Sequence, residues 1–143
     1  MRAVMALLIA FTAFSVQAAE SVKTQAGSLQ IEGSLNAPKL SLNGKVISAG
    51  ESVSYGFYGD SPFNIKGTEV VLVADSVSAT CQMYFFVTVP VPPGKPTKTE
   101  SFGTCDDGPS VKQEGDAIVL RMLEQNGRKK TFKYLKGKVV SSN

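Results

Sequence analysis

The sequence predicts an all-β fold: a single antiparallel β-sandwich or open barrel closed by one disulfide. Three observations carry this. Turn-forming clusters of Gly, Pro, Asn and Asp recur along the chain at intervals of about 8–12 residues, the spacing of short antiparallel strands. Between them, apolar and polar residues alternate with period two, and no window after the N-terminus shows helical periodicity with caps. The chain holds only two cysteines, Cys81 and Cys105, so they have no partners but each other.

The first eighteen residues belong to export rather than to the fold. Met1-Arg2 is basic, Ala3 to Val16 is an uncharged apolar run, and Val16-Gln17-Ala18 is a small-residue cleavage box. That is the layout of a secretory signal peptide over 1–18. The run is shorter than the roughly 20 residues that span a membrane, and no cysteine follows the box to take a lipid. A secreted domain over 19–143 is expected, periplasmic or secreted, in an oxidising space where a disulfide persists. Its length gives room for one domain with one core.

Ala19 to Gly27 is polar and reads as a loose leader, and Ser28 to Glu32 alternates like a short strand. Lys39 to Ser48 centres on Asn43-Gly44, the pair a type I′ hairpin turn requires because both positions take positive φ. After a turn at Ala49-Gly50-Glu51, Val53, Tyr55 and Phe57 alternate with Ser52, Ser54 and Gly56, giving one buried and one wet face. Gly59 to Pro62 turns the chain. Glu69-Val-Val-Leu-Val-Ala74 is apolar on both faces, the mark of a central strand.

The hairpin that follows organises the rest. Cys81 to Val89 is aromatic and β-branched, Pro90 to Pro96 carries four prolines that cannot donate to a ladder, and Thr97 to Cys105 reads as the returning strand. Pairing Val89 with Thr97 sets Cys81 opposite Cys105, within bridging distance in an antiparallel ladder. Beyond it lie turns at Asp106 to Pro109 and at Glu114-Gly115-Asp116, then a strand through Ile118, Leu120 and Met122. Gly127 at the left-handed position of the next loop places Ile118 opposite Tyr134 and Leu120 opposite Phe132. Lys136-Gly137 turns into a last strand, Lys138 to Ser142. No internal repeat and no linker is visible.

Phe102-Gly103-Thr104-Cys105-Asp106, with the cysteine that opens the aromatic strand and the export signal, resembles a loose group of small periplasmic proteins of Gram-negative bacteria. The likeness covers about residues 70–135; it implies an envelope location and brings no activity. Small periplasmic lysozyme inhibitors are similar in size, export signal and β architecture, without a matching inhibitory-loop motif here.

Composition excludes several chemistries. There is no histidine, which rules out Ser–His–acid and Cys–His triads and histidine metal sites. Bridged cysteines leave no thiolate, and their spacing is unlike a redox Cys-x-x-Cys pair. No phosphate-binding glycine loop or other cofactor motif is present. A carboxylate-based glycan hydrolase is the remaining enzymatic alternative, with Asp106-Asp107 as its most suggestive pair; as neighbours in a turn, those side chains diverge. No enzyme activity, cofactor or metal site is expected.

What remains is surface contact. Chain-wide charge is slight, with 15 basic against 12 acidic residues, but from Arg121 onward seven basic residues face a single acid, Glu124. The pairing above sends Arg121, Lys129 and Lys133 to one face, away from Phe132 and Tyr134, and Lys130 joins them as a candidate contact. Such a face suits an anionic envelope component or an acidic protein. Nucleic acid is disfavoured, since no aromatic platform shares the face. The second candidate is the tip of the proline loop, Val91, Pro92 and Pro93, a preformed finger of the kind an inhibitor or immunity protein inserts into a toxin or lytic enzyme. The expected function is therefore that of a non-catalytic periplasmic binding or accessory protein.

Overall fold

The computed structural model describes residues 20–143, whose regular structure is entirely β. The export signal expected at 1–18 lies outside the described residues. Strands β1 (Glu20–Thr24), β2 (Gly27–Ser34), β3 (Ala37–Leu42) and β4 (Lys45–Ala49) form a first sheet. A second contains β5 (Ser54–Ile65), β6 (Thr68–Ser78), β7 (Cys81–Val89) and β8 (Thr97–Lys98). The third contains β9 (Ser110–Glu114), β10 (Ala117–Leu123), β11 (Lys129–Leu135) and β12 (Lys138–Ser142). Each sheet is an antiparallel meander in chain order, so one four-stranded unit occurs three times although the sequence shows no repeat. None of the sheets closes into a barrel.

The sheets stack as layers, with the second in the middle. Its two central strands alternate between two separate cores. Val70, Leu72, Ala74, Tyr84 and Phe86 pack with Ile118, Leu120, Met122, Phe132 and Tyr134 of the third sheet. Val71, Val73, Phe85, Val87 and Val89 pack with Leu29 and Leu40 of the first. The single core expected from length is thus two cores on either side of one sheet. That is why Val70 to Ala74 is apolar throughout: along this stretch neither face of β6 meets water.

Several sequence expectations hold to the residue. Asn43 (φ 50°) and Gly44 (φ 80°) form the hairpin turn, Gly127 (φ 79°) is left-handed, and Ile118 pairs with Tyr134 and Leu120 with Phe132. Cys81 and Cys105 are bridged, their Cα atoms 4.4 Å apart. Others do not. Glu20–Thr24, expected as loose leader, pairs with Gly27–Ile31 as an edge strand. The turn at Gly59 to Pro62 is a bulge within one long strand, β5, whose pairing resumes at Phe63.

The return from the proline loop also differs. Only Thr97 and Lys98 form a regular strand, in a register one residue from the expected one: Thr97 pairs with Thr88 instead of Val89. Thr99 then engages Phe86 through side chain and backbone together, its Oγ1 accepting the Phe86 N–H at 3.0 Å while its own N–H donates to the Phe86 carbonyl at 2.9 Å. An isolated bridge between Phe102 and Tyr84 follows, and the chain swings out through Gly103 (φ 146°) to the disulfide. A Cβ at Gly103 would sit 3.3 Å from the Met83 sulfur in a conformation L side chains avoid, so glycine is required there.

The two long sides of the stack differ. On one, the first strands of the sheets are tied together. The Phe57 N–H donates to Glu20 Oε2 at 3.2 Å, Tyr58 Oη donates to the Pro109 carbonyl at 3.1 Å, and Gln113 Nε2 donates to the Asn64 carbonyl at 2.9 Å. On the other, where β4, β8 and β12 are the last strands, grooves of about 560 Å³ and 260 Å³ separate the sheet edges.

Candidate functional site

The outer face of the third sheet carries the basic cluster. Residues directly opposite in an antiparallel ladder share a face, so the register sorts this surface into rows. Ser110, Arg121, Thr131 and Ser142 form one row, Lys112, Val119, Lys133 and Val140 the next, and Glu114, Ala117, Leu135 and Lys138 a third, with Leu123 beside Lys129 at the far end. Five cations therefore share a face with one carboxylate. That carboxylate, Glu114, is engaged by Arg121 at 3.2 Å. Among the described residues no other ion pair forms on this face. Interleaved with the cations, Leu123 (52% exposed), Leu135 (38%) and Val140 (58%) stand in solvent.

Arg121, Lys129 and Lys133 are where the sequence put them. Lys130 is not: strand alternation turns it to the core side, where its ammonium lies 5.6 Å from the Phe132 ring centroid. The sequence reading missed Lys112, which reaches this face from β9, and left Lys138 in the tail's charge count without a place on it.

The proline loop lies on the other side of the middle sheet. Val91, Pro92 and Pro93 are exposed at its tip, which the Gly94 N–H closes by donating to the Val91 carbonyl at 3.1 Å. The base of the loop, Lys95 and Pro96, faces the first sheet across the smaller groove, lined also by Leu42, Lys45, Val46, Ile47 and Lys98. The basic face belongs to the third sheet and the loop to the middle one, its base turned toward the first, so the two are distinct surfaces.

The Asp106 carboxylate is taken up by the backbone. Both carboxylate oxygens of Asp106 accept backbone donors, Oδ1 from Gly108 at 3.0 Å and Oδ2 from Leu123 at 2.7 Å. Thr104 Oγ1 donates to the Leu123 carbonyl at 2.7 Å. The turn that carries Cys105 therefore grips both backbone groups of Leu123, extending the third sheet by side chains in place of a strand. No group of three or more Asp, Glu or Cys residues placed to hold a metal ion occurs among the described residues. No helix among them is long and apolar enough to cross a membrane.

Two phenols sit beside this turn. Tyr84 is buried, donates to the Asp106 carbonyl at 3.0 Å and accepts from Gln82 Nε2 at 2.8 Å. Burial raises its pKa, with Tyr58, Asp106 and Asp107 adding to the rise and the Gln82 hydrogen bond opposing it. Tyr58 is raised by the same causes, burial first and the two aspartates next. Below the ordinary tyrosine pKa of 10.0 these phenols are neutral in both folded and unfolded chains and add no pH dependence. Above it the unfolded chain loses their protons while the folded one keeps them, so stability falls as pH rises. Urea unfolding from pH 8 to about 11 should show that fall. Tyr84→Phe should show a shallower one, and an unchanged slope would mean Tyr84 ionises freely in the fold.

No protein-family model matches this chain, and comparisons with curated proteins and with solved structures find no significant match either.

Proposed function

We propose that this chain is an exported, non-catalytic accessory protein of the bacterial envelope that works by surface contact, laying the outer face of its third sheet on an anionic lipid surface. The observation that carries this reading is the arrangement of that face: Lys112, Lys129, Lys133 and Lys138 unpaired, Arg121 shared with the lone Glu114, and exposed Leu123, Leu135 and Val140 between them. Cations near a negatively charged membrane surface contribute about 1 kcal/mol each. Exposed apolar side chains among them add burial at the headgroup boundary, as amphipathic surfaces do. Lysines that only solubilise an edge strand need no central position, yet Lys133 belongs to β11, an interior strand of its sheet. The export signal, the disulfide and the lack of histidine support an envelope protein without catalysis.

Co-sedimentation with phosphatidylglycerol-containing vesicles tests this. Binding should exceed that to phosphatidylcholine vesicles and weaken by about tenfold or more when salt is raised well past the point where the screening length falls below 10 Å. The triple variant Arg121→Glu, Lys129→Glu, Lys133→Glu should lose it by about tenfold or more. These side chains are exposed, so the variant should fold. Unchanged binding by the triple variant, or equal binding to both vesicle types, would sink the reading.

A further inference from the structure

The smaller groove on the open side is a second, differently built surface, and it uses the proline loop by its base. It is about 260 Å³ and lies between Lys45–Ile47 of β4, the last strand of the first sheet, and Lys95–Lys98, which includes β8, the last strand of the middle sheet. Leu42, Val46, Ile47 and Pro96 supply apolar walls. Val46 is 53% exposed, so these walls are not filled by the fold itself.

Three of the seven lining residues are lysines, Lys45, Lys95 and Lys98, and none is acidic. No described carboxylate forms an ion pair with any of them. Lys98 is also held in place: its ammonium lies 5.0 Å from the centroid of the Phe85 ring, which is buried in the first core. The segment behind it is fixed by the double Thr99–Phe86 link, by the Phe102–Tyr84 bridge and by the Ser101 hydroxyl, which donates to the buried Asp75 carboxylate at 2.9 Å. A cation fixed over an aromatic ring, without a counter-ion and beside an unfilled apolar notch, is arranged for an external anion.

We propose that this groove is a docking site for an extended, acidic segment of a partner polypeptide. Both flanks are sheet edges, β4 and β8, each paired on one side only among the described residues. An added strand would find backbone groups to pair with, as in recognition by strand addition. The volume is smaller than the roughly 300–1,000 Å³ of small-molecule sites and suits one apolar side chain. In an extended peptide neighbouring residues point opposite ways. An apolar residue entering between Leu42, Ile47 and Pro96 therefore leaves the residues on either side at the rim, where Lys45, Lys95 and Lys98 favour carboxylates. A second copy docking groove to groove is a poor occupant, because the lysines of the two grooves would meet. The site lies between the first and middle sheets, shares no residue with the lipid-facing surface of the third, and stands or falls independently of it.

The probe is the acetylated, amidated pentapeptide Asp-Leu-Asp-Leu-Asp, titrated into the ¹⁵N-labelled mature chain. Saturable amide shifts are expected at 42–47 and at Lys95, Thr97 and Lys98, with little change at Arg121, Lys129 and Lys133. Lys45→Glu with Lys98→Glu should weaken binding by at least tenfold, whereas the Arg121, Lys129, Lys133 reversal should leave it unchanged. The matching Lys-Leu peptide should not bind. The proposal is overturned if no saturable shift appears or if the shifts fall on the basic outer face. It is likewise overturned if the Lys-Leu peptide binds equally well, or if octanoate occupies the groove while the acidic peptide does not.

Discussion

Phe85→Ala and Phe86→Ala, made separately, are each expected to destabilise the protein by about 3–5 kcal/mol in urea unfolding, the usual cost of emptying a buried aromatic site. Neighbours along a strand point to opposite faces, so in a two-layered sandwich one of the pair would face water and its loss would cost little. Here both are buried, 1% and 0% exposed. Phe85 meets Tyr55 edge-on at 5.4 Å in the core shared with the first sheet. Phe86 stacks on Phe102 at 5.6 Å and tilts against Tyr134 at 4.7 Å in the core shared with the third. A loss below about 1 kcal/mol for Phe85→Ala would mean the first sheet does not pack on the second, and the layered architecture would fall with it.

That architecture was half legible in the sequence. Glu69 to Ala74 announces a strand with no wet face, and Tyr84-Phe85-Phe86-Val87 carries the same sign one strand later. Two adjacent strands apolar on both faces imply a sheet covered on both sides, hence two cores, an implication that length alone conceals. The turns at Asn43-Gly44 and Gly127 were legible, because these residues act through φ and need no tertiary context. The missed strands, β1 and β9, each bury little more than one apolar residue, Val22 and Val111, too few to show a period. The return after Pro96 misled for a different reason: the Thr99 side chain takes over a ladder position, and no pattern of hydropathy encodes that substitution.

The candidate surfaces divide the same way. Period two finds Lys129 and Lys133, and applied strictly it also places Lys130 on the opposite face, over Phe132. Lys112 joins them only through the β9–β10 pairing, invisible while residues 110–113 are assigned no strand. The groove beside the proline loop is further from reach, because Lys45 and Lys98 meet only once the first sheet is stacked on the second. The sequence drew attention to the loop's prolines, while the charge and the walls lie at its base.

Removing the disulfide, by Cys81→Ser with Cys105→Ser, is expected to cost about 3 kcal/mol, the chain-entropy value for a loop with a sequence separation of 24, against a total stability of about 5–15 kcal/mol. The consequence should be unevenly spread. Cys105 itself is left-handed (φ 63°), held in an unfavourable region by its surroundings. On either side of it, Thr104 and Asp106 bind the Leu123 carbonyl and N–H at 2.7 Å each. The bridge thus fixes to the start of β7 the turn that reaches across to β10, tying the middle sheet to the third. Without it, that turn is free to leave Leu123, and the Tyr84 hydroxyl loses its acceptor at Asp106. Amide exchange should therefore quicken first at Leu123 and Phe102, while β2 and β3, which contact neither, keep their protection. Uniform acceleration throughout the chain would show the bond acting only on the unfolded state, and a loss under about 1 kcal/mol with Leu123 still protected would show that the Thr104–Asp106 grip holds without it.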